Sequence, residues 1–207
     1  MTSRLLVRVV GIVVTAAAVF LVACGGHEGS GVSSPDTGGT ATPAESTPSA
    51  VATPLVVPTI APDIPLTEYR SPDKPYVIGY PQGWEVLPTN VTDSFLWRLG
   101  SRPVLQLAVS CYRGSDWTPE KLIEQDAAAI SALVHVDPAR ATPIEVGGLA
   151  GKQLRYSVRI EQLLIEHVVV YAVKGECGWR VGLNTFAVPL APYLPLFQRI
   201  IASFQPS

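Results

Sequence analysis

The sequence predicts an α+β domain, an antiparallel β-sheet flanked by helices, over residues 66–207. Three observations carry that reading. Apolar–polar alternations of period two, bounded by Gly and Pro, mark a series of strands. A capped stretch of helical period interrupts them after Tyr112, and a second apolar helical stretch closes the chain. Strands, helix, strands, helix is an order that suits helices packed on an antiparallel sheet.

Tyr76 to Tyr80 is a short β-prone run, ended by Pro81-Gln82-Gly83, where the chain turns before Trp84. Ser94 to Leu99 and Val104 to Tyr112 are the next two strands. In the second, Leu105, Leu107, Val109 and Cys111 alternate with Gln106, Ala108 and Ser110, which gives one apolar face. Thr118-Pro119-Glu120 then starts a helix: Thr caps free amides, Pro suits the first position, and Glu complements the dipole. Leu122, Ile123, Ala127, Ile130, Leu133 and Val134 follow at helical spacing, with Pro138 just beyond the expected end.

A meander follows. Thr142 to Val146 reaches a turn at Gly147-Gly148, and Gly151 to Ile160, Leu163 to Lys174 and Cys177 to Phe186 are three more strands. Leu154, Tyr156, Val158 and Ile160 line one face of the first, and Cys177, Trp179, Val181 and Leu183 one face of the last. Val168 to Tyr171 is apolar on both sides, which predicts a central strand covered on both faces. A final helix over Ala191 to Phe204 packs Leu196, Phe197, Ile200 and Phe204 inward, and Pro192 and Pro195 delay its start.

Two of these stretches carry a resemblance. Tyr76-Val77-Ile78-Gly79-Tyr80-Pro81-Gln82-Gly83-Trp84 resembles the strand followed by Tyr-Pro-x-Gly-Trp that opens PsbP-like domains, and Ile200-Ile201-Ala202-Ser203-Phe204 is similar to their closing helix. The resemblance covers residues 66–207 and implies an α/β/α sandwich. It also implies a binding or assembly role, as in photosystem accessory proteins, Ran-binding proteins and many bacterial lipoproteins. The motif contains no catalytic residue to carry over.

The start of the chain has its own grammar. Arg4 and Arg8 precede an uncharged apolar stretch, Val9 to Ala23, that ends in small residues, as in an exported precursor. It is shorter than the roughly 20 apolar residues of a spanning helix, so a signal anchor ranks second. Leu21-Val22-Ala23-Cys24 resembles the lipobox of bacterial lipoproteins. That resemblance implies a signal peptide over residues 1–23, a lipidated Cys24, and a mature protein held by acyl chains such as palmitate at the extracytoplasmic face of a cell membrane. A chance cysteine after an ordinary signal peptide is the plainer reading. Residues 24–65 are rich in Gly, Ser, Thr, Ala and Pro and bury too little apolar surface to offset ordering, so they read as a disordered tether. Repeated Thr-Pro pairs favour extended chain, with a reach on the order of 100 Å.

The chain holds 15 basic and 17 acidic residues, and without Arg4 and Arg8 the formal net charge falls to −4. Mild acidity argues against nucleic-acid binding. Besides Cys24 there are Cys111 and Cys177, both on apolar strand faces. They either bridge or serve as two buried thiols, and an oxidising compartment with an even count favours the bridge. His27, His135 and His167 do not make a metal-ligand set, so neither metal nor cofactor is expected. Gly-x-Ser-x-Gly and phosphate-loop motifs are absent, and Glu161 and Glu166 read as solvated charges. The expectation is a non-enzymatic, membrane-anchored lipoprotein that binds a protein or envelope component. Arg155, Arg159 and Arg180 are read as a basic patch for an anionic polymer or headgroup. The alternative is a small apolar or glycan ligand in a pocket near Trp84, Trp97 and Trp117.

Overall fold

The computed structural model describes residues 60–207. The expected signal peptide, Cys24 and the tether up to residue 59 lie outside them. The strands are β1 (Leu66–Arg70), β2 (Tyr76–Pro81), β3 (Glu85–Leu87), β4 (Thr92–Leu99), β5 (Arg102–Arg113), β6 (Thr142–Val146), β7 (Leu149–Ile160), β8 (Leu163–Lys174), β9 (Cys177–Phe186) and β10 (Gln205–Pro206). Helix α1 is Pro119–Ile130 and α2 is Leu194–Ser203.

These strands form a seven-stranded antiparallel sheet in the order β3-β4-β5-β9-β8-β7-β6 and a small sheet, β1-β2-β10. After β5 the chain leaves through α1 to the far edge, and the meander β6 to β9 walks back until β9 pairs with β5. One face of the large sheet carries α1. The other packs against the small sheet and α2 in the larger core, where Trp179 meets Phe204 and Tyr76 edge to face, with ring centroids 5.4 and 5.5 Å apart. Val168, Val169, Val170 and Tyr171 are all at most 1% exposed, as their two-sided apolar pattern predicts.

Helix α1 begins as expected, with Thr118 Oγ1 accepting from the Lys121 amide at 3.2 Å. Its inward pair, Leu122 and Ile123, is buried over β7, β8 and β9, and each contributes roughly 1.5–3 kcal/mol. Gly178 on β9 permits the approach: a Cβ there would lie 2.8 Å from Leu122 Cδ2. The helix ends sooner than its apolar spacing suggests. Ser131 turns both its amide and its hydroxyl onto the Ala128 carbonyl, and Leu133 bonds back to Ile130 in a tighter turn, which leaves Leu133 57% exposed. At the other end of the domain, the two prolines act as predicted: a 3₁₀ turn at Ala191–Tyr193 precedes α2.

Strands β1, β3 and β10 are absent from the sequence reading. They are two to five residues long, too short for alternation to stand out from loop. What fastens the small sheet is polar. Asp93 on β4, fully buried, accepts from Ser71 Oγ (2.7 Å), Tyr76 Oη (2.6 Å) and Lys74 Nζ (2.9 Å), and Lys74 also donates to the Thr89 carbonyl (2.6 Å). The β1–β2 loop is thereby pinned to the large sheet. Burial, reinforced by the Asp93 carboxylate, pushes the Tyr76 hydroxyl far above the usual tyrosine range, so it stays a donor. Packing also begins before Leu66. Ile60 is already in the core, and Arg199 of α2 donates to the Pro62 and Ile64 carbonyls.

Candidate functional site

Residues directly opposite one another in an antiparallel ladder share a face. On the α1 face, beyond the helix's cover, register aligns Gln106, Asn184, His167 and Tyr156 across β5, β9, β8 and β7. They form a hydrogen-bonded row. Gln106 Nε2 donates to Ser94 Oγ (3.2 Å), Asn184 Nδ2 to Gln106 Oε1 (3.1 Å), and Asn184 Oδ1 lies 2.7 Å from His167 Nδ1. Because that oxygen only accepts, His167 carries its proton on Nδ1 and presents Nε2 as an acceptor. The imidazole stacks on Tyr156 with centroids 4.6 Å apart.

A charged clamp sits beside this row on the same face. Arg180 Nε donates to Asp126 of α1 at 2.8 Å, Tyr171 Oη donates to the same carboxylate oxygen at 2.6 Å, and Arg180 Nη2 reaches Tyr156 Oη at 3.4 Å. Burial opposes the charge on Arg180, but the Asp126 carboxylate more than offsets it and holds the guanidinium well above its ordinary pKa. The clamp fixes α1 on the sheet, and a Lys152–Glu120 ion pair (2.8 Å) adds a second, exposed tie.

Burial also lowers the His167 pKa to about 4, against a partly opposing bond to Asn184. The ring is therefore neutral at pH 7. The unfolded chain takes up this proton near pH 6.5, so the stability associated with a neutral His167 is complete above that value and is lost as pH falls toward 4. Unfolding in urea at pH 7 and pH 5 should show wild type losing about 2 kcal/mol more than His167→Gln over that interval. Equal losses would remove His167 as the cause.

At the sheet margin beside Tyr156 and His167, the loop after α1 and strand β7 enclose a cleft of about 420 Å³, with His135, Arg140, Arg155 and Glu166 also in its walls. A second recess of about 320 Å³ adjoins it and shares Arg140 and Arg155. The mixture of a stacked aromatic pair and exposed guanidinium groups suits binding of polar or anionic groups. No hydroxyl, thiol or carboxylate is hydrogen-bonded to His167, and no group of three His, Cys, Asp or Glu residues is placed to hold a metal ion, both among the described residues.

The residues singled out in the sequence fall into separate places. Arg155 and Arg159 do share one exposed face of β7, but Arg180 does not join them. It stands opposite Tyr171, whose face is that of Lys152 and Leu154, and so projects through the other side of the sheet into the clamp with Asp126. The three-arginine patch is therefore a pair. The tryptophans do not line one pocket either. Trp84 is buried at 5% exposure and Trp97 packs in the same large core, while Trp117 lies across the sheet under α1 against Tyr112. Cys111 and Cys177 form a disulfide, with Cα atoms 5.3 Å apart at one end of the β5–β9 pair. His135 is exposed, and neighbouring Asp137 caps a 3₁₀ turn by accepting from the Ala139 amide. Gln106, Asn184 and Asp126 belong to this row and clamp, and the sequence pattern does not single them out. Their one sequence signal was a polar residue at a position whose strand or helix neighbours are buried.

The order of strands and the two covering layers decide the architecture. The fold is that of PsbP-like proteins. The cyanobacterial PsbP (CyanoP) from Synechocystis sp. PCC 6803 superposes with a TM-score of 0.50 at 16% identity, over 69% of this chain and 93% of that one. The Saccharomyces cerevisiae Ran-binding protein Mog1p does so with a TM-score of 0.50 at 9% identity, over 69% and 95%. LpqN of Mycobacterium tuberculosis, involved in cell envelope biogenesis, gives 0.47 at 14% identity over 68% and 89%. A Bacteroides thetaiotaomicron structure gives 0.49 at 13% identity over 68% of this chain, which spans about half (48%) of that protein. No protein-family model and no curated protein matches the chain.

Proposed function

We propose that this chain is an exported lipoprotein, anchored through Cys24 at the outer face of a cell membrane, whose PsbP-like domain is a non-catalytic module that binds a protein or envelope component. The observation that carries the reading is the Cys111–Cys177 disulfide in a chain that also has Leu21-Val22-Ala23-Cys24 behind a basic, apolar start. Disulfides persist in oxidising compartments, and two or more acyl chains hold a protein stably at a bilayer where one does not. Mog1p, which shares the fold, is a Ran-binding protein, so this architecture serves protein recognition elsewhere. A long tether suits a module that must reach a partner away from the bilayer.

Replacing Cys24 with Ala should move the protein from the membrane fraction to the soluble fraction and remove the mass of the lipid from the purified chain. A Cys24→Ala protein that stays in the membrane at unchanged mass would overturn the anchor. Turnover of a substrate by the purified protein would overturn the non-catalytic assignment.

A further inference from the structure

The outer edge of β7 is only half covered. Strand β6 pairs with Leu149–Gln153 and stops there. From Leu154 to Ile160, β7 continues with β8 as its sole strand partner among the described residues. The cause lies in the sequence before β6. Pro138 has no amide to give to a neighbouring strand, and Asp137 caps a 3₁₀ turn at Pro138–Arg140, so the chain lifts off the sheet where it would otherwise run beside Leu154. Both recesses open at this step. An exposed edge of that length, without proline, is a template for another strand.

Charge selects what fits. Arg155 and Arg159 stand on one face of the free edge, and Arg140 lies at its start; all three are exposed. None has a carboxylate within 4.0 Å among the described residues. Glu166, diagonal to both β7 arginines in the ladder, instead accepts from the Leu190 amide at 2.8 Å. Asp137 is engaged by its own turn. The edge thus combines unpaired backbone with unneutralised cations.

We infer that the β7 edge docks an extended acidic segment of a partner protein by strand addition. The segment continues the line of β6, and its carboxylates meet Arg140, Arg155 and Arg159. This rests on the reading of the domain as a binding module, but it does not need the lipid anchor.

The test uses the full chain and a fluorescein-labelled octapeptide of alternating Glu and Val, with a Lys-Val octapeptide as its counterpart. The Glu peptide should bind, slow amide exchange selectively over Leu154–Ile160, and lose at least tenfold in affinity to R155E/R159E; the Lys peptide should not bind wild type. Equal binding to wild type and variant, or exchange protection elsewhere, would overturn the assignment. So would protection of the same amides that rises with protein concentration alone, which would put a second copy of the chain on the edge. Copurification from native membranes separates the two readings. A partner retained equally by R155E/R159E removes the edge but leaves the binding module standing, whereas a wild-type protein that captures nothing removes both.

Discussion

Asp93→Ala should cost the domain about 3–5 kcal/mol, because it leaves a buried ammonium without its counter-charge. Lys74 and Asp93 have side-chain exposures of 5% and 0%, so water cannot replace the lost partner. The substitution also orphans the Ser71 and Tyr76 hydroxyls, both of which donate to Asp93. Chemical denaturation of the full chain measures the effect. The informative companion is Lys74→Met with Asp93→Leu, which removes both charges together and should recover much of the loss, since apolar replacement of a buried pair is often neutral. A single Asp93→Ala that unfolds within 1 kcal/mol of wild type would mean that the pair is solvated. The small sheet would then be held by its apolar contacts alone.

Removing the disulfide is the second large effect. Cys111 and Cys177 are 66 residues apart, and the loop they close contains α1 and the whole of β6, β7 and β8. On the chain-entropy account, opening a loop of that length returns about 4 kcal/mol of freedom to the unfolded state. Cys111→Ala with Cys177→Ala should therefore lower the unfolding midpoint strongly, and wild type treated with reductant should approach the same value. The β5–β9 ladder runs alongside the bridge for nine paired residues, so the variant should still fold at low denaturant with the same secondary structure. An unchanged midpoint in the double variant would show that opening the loop gives the unfolded chain no added freedom, and would overturn the entropic account.

Much of the architecture is legible because its strands are long. Strands β8 and β9 run over the expected residues, Leu163–Lys174 and Cys177–Phe186, since ten or more residues between turn residues, continuously apolar in the middle of β8 and alternating in β9, leave little ambiguity. Thr118-Pro119 likewise announces the start of α1. Its end is not announced: Leu133 and Val134 keep the helical spacing, yet a single serine, Ser131, bonding back to the Ala128 carbonyl stops the helix before them. The functional surface is less legible still. Alternation says that Arg155 and Arg159 share a face, because they lie four apart on one strand, but it cannot say on which side of the sheet a residue of another strand emerges. Arg180 emerges on the far side because β9 aligns Arg180 with Tyr171.

The sequence by itself determined the class of fold, the central position of β8, the capped start of α1 and the candidate bridge. Each depends on local spacing, burial pattern or composition, which are properties of short segments. Tertiary structure alone decided that β9 returns to β5, that Asp93 anchors the small sheet, that Arg180 belongs to a clamp and that half of the β7 edge is open. These depend on register and on the path of the chain between strands, and long-range pairing is set by the packing of all layers together rather than by any one segment.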